Sequence, residues 1–181
     1  MASATPPSAL TSGKGMLVVI DPAVEDYTLL TASALPKSKV VILEKSQDAI
    51  AQITAAIKQD PSVSFDSLHL VALNSPGVLH FSSGDFSLQT LKPYVESIQS
   101  WFHTDGSAAI SRTLEPQILL YGRRVGAGQS GTEFVDTLSW LTGATVIAAK
   151  DGDRWPSTDG DRAQLAFSSS AQQIYQGTFS I

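Results

Sequence analysis

Two arginines in a glycine-rich stretch are the first residues of this chain that could do chemistry. In Ile118-Leu119-Leu120-Tyr121-Gly122-Arg123-Arg124-Val125-Gly126-Ala127-Gly128-Gln129-Ser130-Gly131, an apolar run ends in Arg123 and Arg124 and then opens a helix. Each guanidinium carries a rigid fork of donors, and a helix start offers unsatisfied N–H groups, so the pair could hold an anion. Ion pairs with Asp or Glu on neighbouring loops are the plainer account, and neither side chain is a nucleophile. Gly122, Gly126, Gly128 and Gly131 fit neither the dinucleotide fingerprint nor the P-loop, which must end in Lys-Ser/Thr. They read as turn and packing glycines.

The other reactive residue types are dispersed. The chain has no cysteine, which removes a disulfide framework, a thiolate metal site and a cysteine nucleophile. His69 falls inside an apolar run and reads as a strand side chain, while His80 and His103 have no clustered ligands. Zinc needs three or four convergent ligands, so no zinc site is expected. Asp151, Asp153, Asp159 and Asp161 supply hard oxygen ligands, yet Trp155 occupies the place of a third ligand and the spacing misses the EF-hand pattern. No metal and no cofactor are expected. Ser75 has no histidine partner on the neighbouring turns, so its expected role is local hydrogen bonding in a turn.

Composition narrows the class further. With 181 residues, 43% of them hydrophobic and 16% charged, the chain can bury a full single-domain core. The net charge of -5 and the scatter of its twelve Lys and Arg argue against nucleic acid as a partner, which would need a concentrated basic surface. Residues 1–15 lack the basic start and apolar run of a signal peptide and read as a disordered tail. No apolar run approaches the ~20 residues of a membrane span.

The elements that must position these residues follow from periodicity. Continuous apolar runs at Met16–Ile20, Lys39–Leu43, Leu68–Leu73, Gln117–Tyr121 and Thr145–Ala149 read as buried parallel strands. Helical spacing predicts a helix from Pro22 capped by Asp21, one after Asp48 carrying Ile50, Ile53, Ala56 and Ile57, one over Leu91–Phe102, and one over Thr132–Leu141 ended by Gly143. Asn74-Ser75-Pro76-Gly77 reads as a turn, and Val78–Leu88 as a hairpin projecting from the sheet edge. Thr104–Glu115 reads as a loop, and Gln164–Phe167 and Ile174–Phe179 as short antiparallel strands. Alternating strands and helices with right-handed crossovers give a three-layer α/β/α domain over residues 16–181, with a mostly parallel central sheet and short antiparallel additions.

Val19-Ile20-Asp21-Pro22-Ala23-Val24-Glu25-Asp26-Tyr27, Leu68-His69-Leu70-Val71-Ala72-Leu73-Asn74-Ser75-Pro76-Gly77, and Leu119-Leu120-Tyr121-Gly122 through Gly131-Thr132-Glu133-Phe134 together resemble the domain of unknown function DUF4347. That family occurs near the start of large bacterial, often cyanobacterial, adhesin-like surface proteins. It is similar to the caspase-like peptidases, in which a Ser-His-Gly-Ser-Pro-Gly turn supplies the base and a Tyr-Gly-Cys turn the nucleophile. The resemblance implies a caspase-like, Rossmann-like fold and places Leu73 at the family histidine, Asn74 at its glycine and Arg123 at its cysteine. With both reactive positions replaced, the implied function is that of a non-catalytic, pseudo-peptidase binding or assembly module, secreted or at the cell surface. Its implied partner is a protein, or flanking domains of a larger chain. The alternative is an enzyme that uses the strand-end cleft, with Arg123 and Arg124 orienting an anionic substrate. It requires an open pocket where Leu73, Asn74 and Arg123 converge.

Overall fold

The computed structural model describes residues 15–59, 65–102, 115–150, 155–156 and 165–175. Five parallel strands, β1 (Gly15–Ile20), β2 (Ser38–Ile42), β3 (Phe65–Val71), β7 (Gln117–Tyr121) and β8 (Thr145–Ala148), form a sheet in the order β2-β1-β3-β7-β8. A second, antiparallel sheet contains β4 (Leu73–Ser75), β5 (Val78–Phe81) and β6 (Gly84–Ser87). The α/β architecture expected from the alternating pattern is thus present.

Strand alternation divides the core in two. Leu17, Val19, Leu68, Leu70, Ile118 and Leu120 face one cluster, shared with Ile50 and Ile53 of α2 (Ala49–Lys58), Ile98 of α3 (Val95–Gln99), and Phe134 and Leu138 of α4 (Gly128–Thr142). Val18, Ile20, Val71, Leu119 and Tyr121 face the other, shared with Leu30 of α1 (Tyr27–Ala32), and with Phe167 and Tyr175, which flank α5 (Ser169–Ile174). Helices therefore cover both faces, and the central strands read as unbroken apolar runs because neither side meets water. The exceptions are the edge strands β2 and β8, whose residues are half-buried or exposed.

Several boundaries differ from the sequence expectation. The first helix begins at Tyr27 rather than Pro22, after Asp26 in a left-handed conformation (φ 50°); the Asp21 carboxylate bonds the Ala23 N–H in a turn that the helix does not continue. The helix expected over Leu91–Phe102 is a 3-10 turn at Lys92–Tyr94 followed by the short α3. Trp101, near the end of that segment, is buried, and its Nε1–H donates to Thr54 Oγ1 at 2.9 Å. Ile174 lies in α5, not in a strand, since Ser168 caps that helix by accepting from the Ala171 N–H. In α2 and α4 the expected features hold: Asp48 accepts from Ala51 N–H at 2.7 Å, and Gly143 closes α4 with φ 66°. The tail, His103, the loop from Thr104 and the aspartates of residues 151–161 lie outside the described residues.

The largest correction concerns residues 73–87. The apolar run Leu68–Leu73 is not one strand: β3 ends at Val71, and Leu73, Asn74 and Ser75 begin the second sheet. That sheet does not project from an edge. It lies against the carboxyl ends of β1, β3 and β7, with Leu79, Phe81 and Phe86 buried in the first core cluster.

Candidate functional site

In an open parallel sheet, ligands enter the crevice where strand order reverses, here between the carboxyl ends of β1 and β3. Asp21, the residue after β1, is 1% exposed. Its backbone N–H donates to the Val71 carbonyl at 2.8 Å, and its carboxylate accepts from the backbone N–H and the hydroxyl of Ser82, each at 2.7 Å, and from the Ala23 N–H at 2.9 Å. The β5–β6 turn is thereby tied over the end of β1. A carboxylate desolvated this far needs several donors, and the hairpin supplies two of them.

Asn74 closes the next gap. Its side chain, 1% exposed, donates to the carbonyls of Ala72 and Tyr121, both at 3.3 Å, and its Oδ1 accepts from the Arg124 N–H at 3.5 Å. The carboxamide rests on Gly122, where a Cβ would fall inside it. Asn74 and Gly122 therefore fit as a pair. Pro76-Gly77 forms the two-residue turn from β4 to β5. Gly77 adopts φ 74°, donates its N–H to the Val125 carbonyl at 2.9 Å, and lies so close to α4 that a Cβ would sit 2.6 Å from the Ser130 carbonyl oxygen. Gly131 likewise packs on Gly126. Arg123 is half-buried and Arg124 exposed, both in the turn from β7 to α4, and Leu73 is half-buried on the other side of its strand from Asn74. The four expected residues are thus neighbours in the fold. The Asn74 carboxamide fills the space over Gly122, while Leu73 faces the other side of β4.

The second sheet also assembles a constellation that sequence reasoning missed. Ser75 pairs with Val78, and His80 with both Leu73 and Asp85, so alternation puts Ser75, His80 and Asp85 on the side of the sheet facing away from Leu79, Phe81 and Phe86. His80 Nδ1 lies 2.6 Å from Asp85 Oδ1, and His80 Nε2 lies 2.9 Å from Ser75 Oγ. An ionised carboxylate can only accept, so Nδ1 carries the proton toward Asp85, which leaves Nε2 to accept from the Ser75 hydroxyl. This corrects the expectation that Ser75 lacks a histidine partner. The spacing of five residues between each pair signals it only once the Pro76-Gly77 turn fixes the register.

A family model described as the domain of unknown function DUF4347 matches residues 17–179. The chain belongs to the DUF4347 family. No curated protein and no solved structure matches it.

Within this DUF4347 domain, His69 is fully buried on the face of β3 that looks toward α1 and α5. Tyr121 Oη lies 2.8 Å from His69 Nδ1 and accepts from the Ala166 N–H at 3.0 Å, so its own proton goes to Nδ1. Nε2–H then donates to Ser67 Oγ at 2.9 Å. Every polar atom of the ring is satisfied in the neutral form, and burial lowers the His69 pKa to about 3. Burial also raises the Tyr121 hydroxyl above its usual value. The ring is a structural strand residue, as the DUF4347 sequence suggested. A cleft between α2 and the β5–β6 hairpin, lined by Asp48, Phe81, Ser83, Asp85 and Tyr94, encloses about 40 Å³. Such a space suits a water molecule rather than a substrate, for which ~300 Å³ is the lower end. Among the described residues, no three His, Asp or Glu side chains converge on a metal position, and no helix is long and apolar enough to cross a membrane.

Proposed function

We propose that this domain is a binding or assembly module without peptidase activity, working in or from a larger surface protein through protein partners or flanking domains. The observation that carries the reading is the filled strand-end crevice. Asn74 occupies the space beside Gly122, and the Asp21–Ser82 contacts hold the hairpin over β1. On a caspase-like alignment the base and nucleophile positions fall at Leu73 and Arg123, and neither side chain can abstract a proton or attack a carbonyl at neutral pH. The crevice at the strand ends, where a parallel α/β sheet receives its substrate, is filled at Gly122 by the Asn74 carboxamide. The rival enzyme, with Arg123 and Arg124 orienting an anionic substrate, requires an open pocket at Asn74, where the carboxamide instead packs on Gly122.

A panel of peptide substrates and thiol-directed and aldehyde probes tests the proposal. No turnover is expected. Peptide cleavage that disappears in Arg123→Ala or Leu73→Ala would overturn it.

A further inference from the structure

The outer side of the second sheet carries a serine, a histidine and an aspartate in hydrogen-bonded sequence, and nothing in the closed crevice uses them. We propose that Ser75 is an activated hydroxyl that accepts an acyl group from an activated carboxylic ester, with His80 as its general base and Asp85 as the residue that positions the imidazole. The inference goes beyond the module reading, since it concerns a hydroxyl on the opposite side of β4 from the Asn74 plug.

The geometry meets the two requirements that separate an activated serine from an ordinary one. The hydroxyl is 2.9 Å from an imidazole nitrogen, and the other nitrogen is 2.6 Å from a carboxylate that fixes the tautomer. Register holds all three in place, because Ser75 and Asp85 belong to strands paired on either side of the one bearing His80. The side chains are also reachable: His80 is 21% exposed and Asp85 57%. Leu73 and Val78 lie on the same side, opposite His80 and Ser75, and give the hydroxyl an apolar flank suited to a short acyl chain.

The step balances within the site and the ester. Ser75 Oγ bonds to the acyl carbon as its proton passes to His80 Nε2, and the imidazolium is stabilised through Nδ1–H by Asp85. The tetrahedral adduct then expels the alcohol oxygen, which takes that proton from Nε2. The products are O-acyl-Ser75 and a free alcohol, with His80 neutral again. The exposed Asp85 carboxylate points to stoichiometric acylation rather than turnover.

The experiment uses the full chain with p-nitrophenyl acetate and with a fluorophosphonate probe, followed by peptide mass spectrometry. One adduct per chain on Ser75 is expected, with a p-nitrophenolate burst of matching size. Ser75→Ala should abolish it. His80→Gln should slow it about a hundredfold, the low end of general-base effects, and Asp85→Asn about tenfold. Circular dichroism of each variant checks folding. Adduct spread over many serines, or Ser75 labelling unchanged in a folded His80→Gln, would overturn the proposal, because the hydroxyl would then be merely accessible. If Ser75→Ala fails to fold, the His80→Gln rate alone decides. Peptide turnover lost in Arg123→Ala would overturn the module reading and leave this one standing, so the two fail separately.

Discussion

Acidification should destabilise this domain through His69 before most of its carboxylates protonate. The ring is fully buried, and its pKa is lowered from 6.5 to about 3, with desolvation as the cause. A depressed histidine pKa means that the unfolded chain binds the proton more readily than the native state, so stability is full above pH 6.5 and is lost as pH falls toward 3. Each pKa unit corresponds to about 1.4 kcal/mol, so the loss from this residue between pH 7 and pH 5 is about 2 kcal/mol, and by pH 4 about 3 kcal/mol. That is a sizeable part of the ~5–15 kcal/mol that holds a domain of this kind together. The native ring resists protonation in place. Nδ1 accepts from Tyr121, whose hydroxyl also accepts from Ala166, so a proton on Nδ1 would require the buried Tyr121 hydroxyl to give up its own hydrogen bond to the ring.

Urea unfolding at a series of pH values checks the magnitude, with His69→Gln as the non-titrating reference. The variant should be less stable at pH 7, and the gap should narrow by about 2 kcal/mol at pH 5. Comparison with the variant isolates His69 from the other histidines and from the carboxylates, which titrate alike in both proteins. Equal pH slopes for the two proteins, or a native His69 ring resonance that titrates near pH 6, would refute the argument.

Three further outcomes follow from the closed crevice. Gly122→Ala should cost about 3 kcal/mol through its clash with the Asn74 carboxamide, and adding Asn74→Ala should recover part of that loss; a single variant within about 0.5 kcal/mol of the parent in urea unfolding would show that the gap is not filled. Asp21→Ala should cost about 2 kcal/mol, because it removes the charged acceptor of the part-buried hydrogen bonds from Ala23 and Ser82, whereas Asp21→Asn, which keeps one oxygen, should cost less; a loss within about 0.5 kcal/mol in urea unfolding would show that these contacts do not hold the hairpin. Restoring a base and nucleophile by Leu73→His with Asn74→Gly and Arg123→Cys should give modest labelling by an alkylating reagent, helped by Arg124, and no efficient peptide cleavage; efficient cleavage would show that a substrate cleft persists.

The frame of the fold was legible because β1, β7, β8, α2 and α4 are each a run of one periodicity bounded by a clear signal, such as Asp48 before Ala49 or Gly143 after Thr142. The passage from β3 to β4 was not. Leu68–Leu73 is apolar throughout, and apolarity alone cannot show that Val71 ends a parallel ladder while Leu73 starts an antiparallel one. The tail of the described chain failed for a related reason: Ile174 and Tyr175 resemble a strand locally, while the cap at Ser168 that makes α5 a helix is one short side chain. Asn74 and Arg124 lie in hydrogen-bond contact, but what fills the space over Gly122 depends on which way Asn74 points. Reading Asn74-Ser75 as part of a turn hid that direction, and with it the pairing of Ser75 and His80.

The filled crevice and the serine relay are consequences of one strand. Because β4 alternates, Asn74 must face the parallel sheet if Ser75 faces outward, and a slip of one residue would exchange them. Several independent features hold the register: the φ 74° turn at Gly77, its hydrogen bond to Val125, the buried Leu79 and Phe86 of the adjoining strands, and the contact between Ser82 and Asp21. Only Gly122 leaves room for an inward Asn74. The same packing that removes a substrate space at the strand ends therefore presents a hydroxyl, an imidazole and a carboxylate in line on the other side. Chemistry at this end of the domain, if it is realised, belongs to the antiparallel sheet and not to the parallel one beneath it.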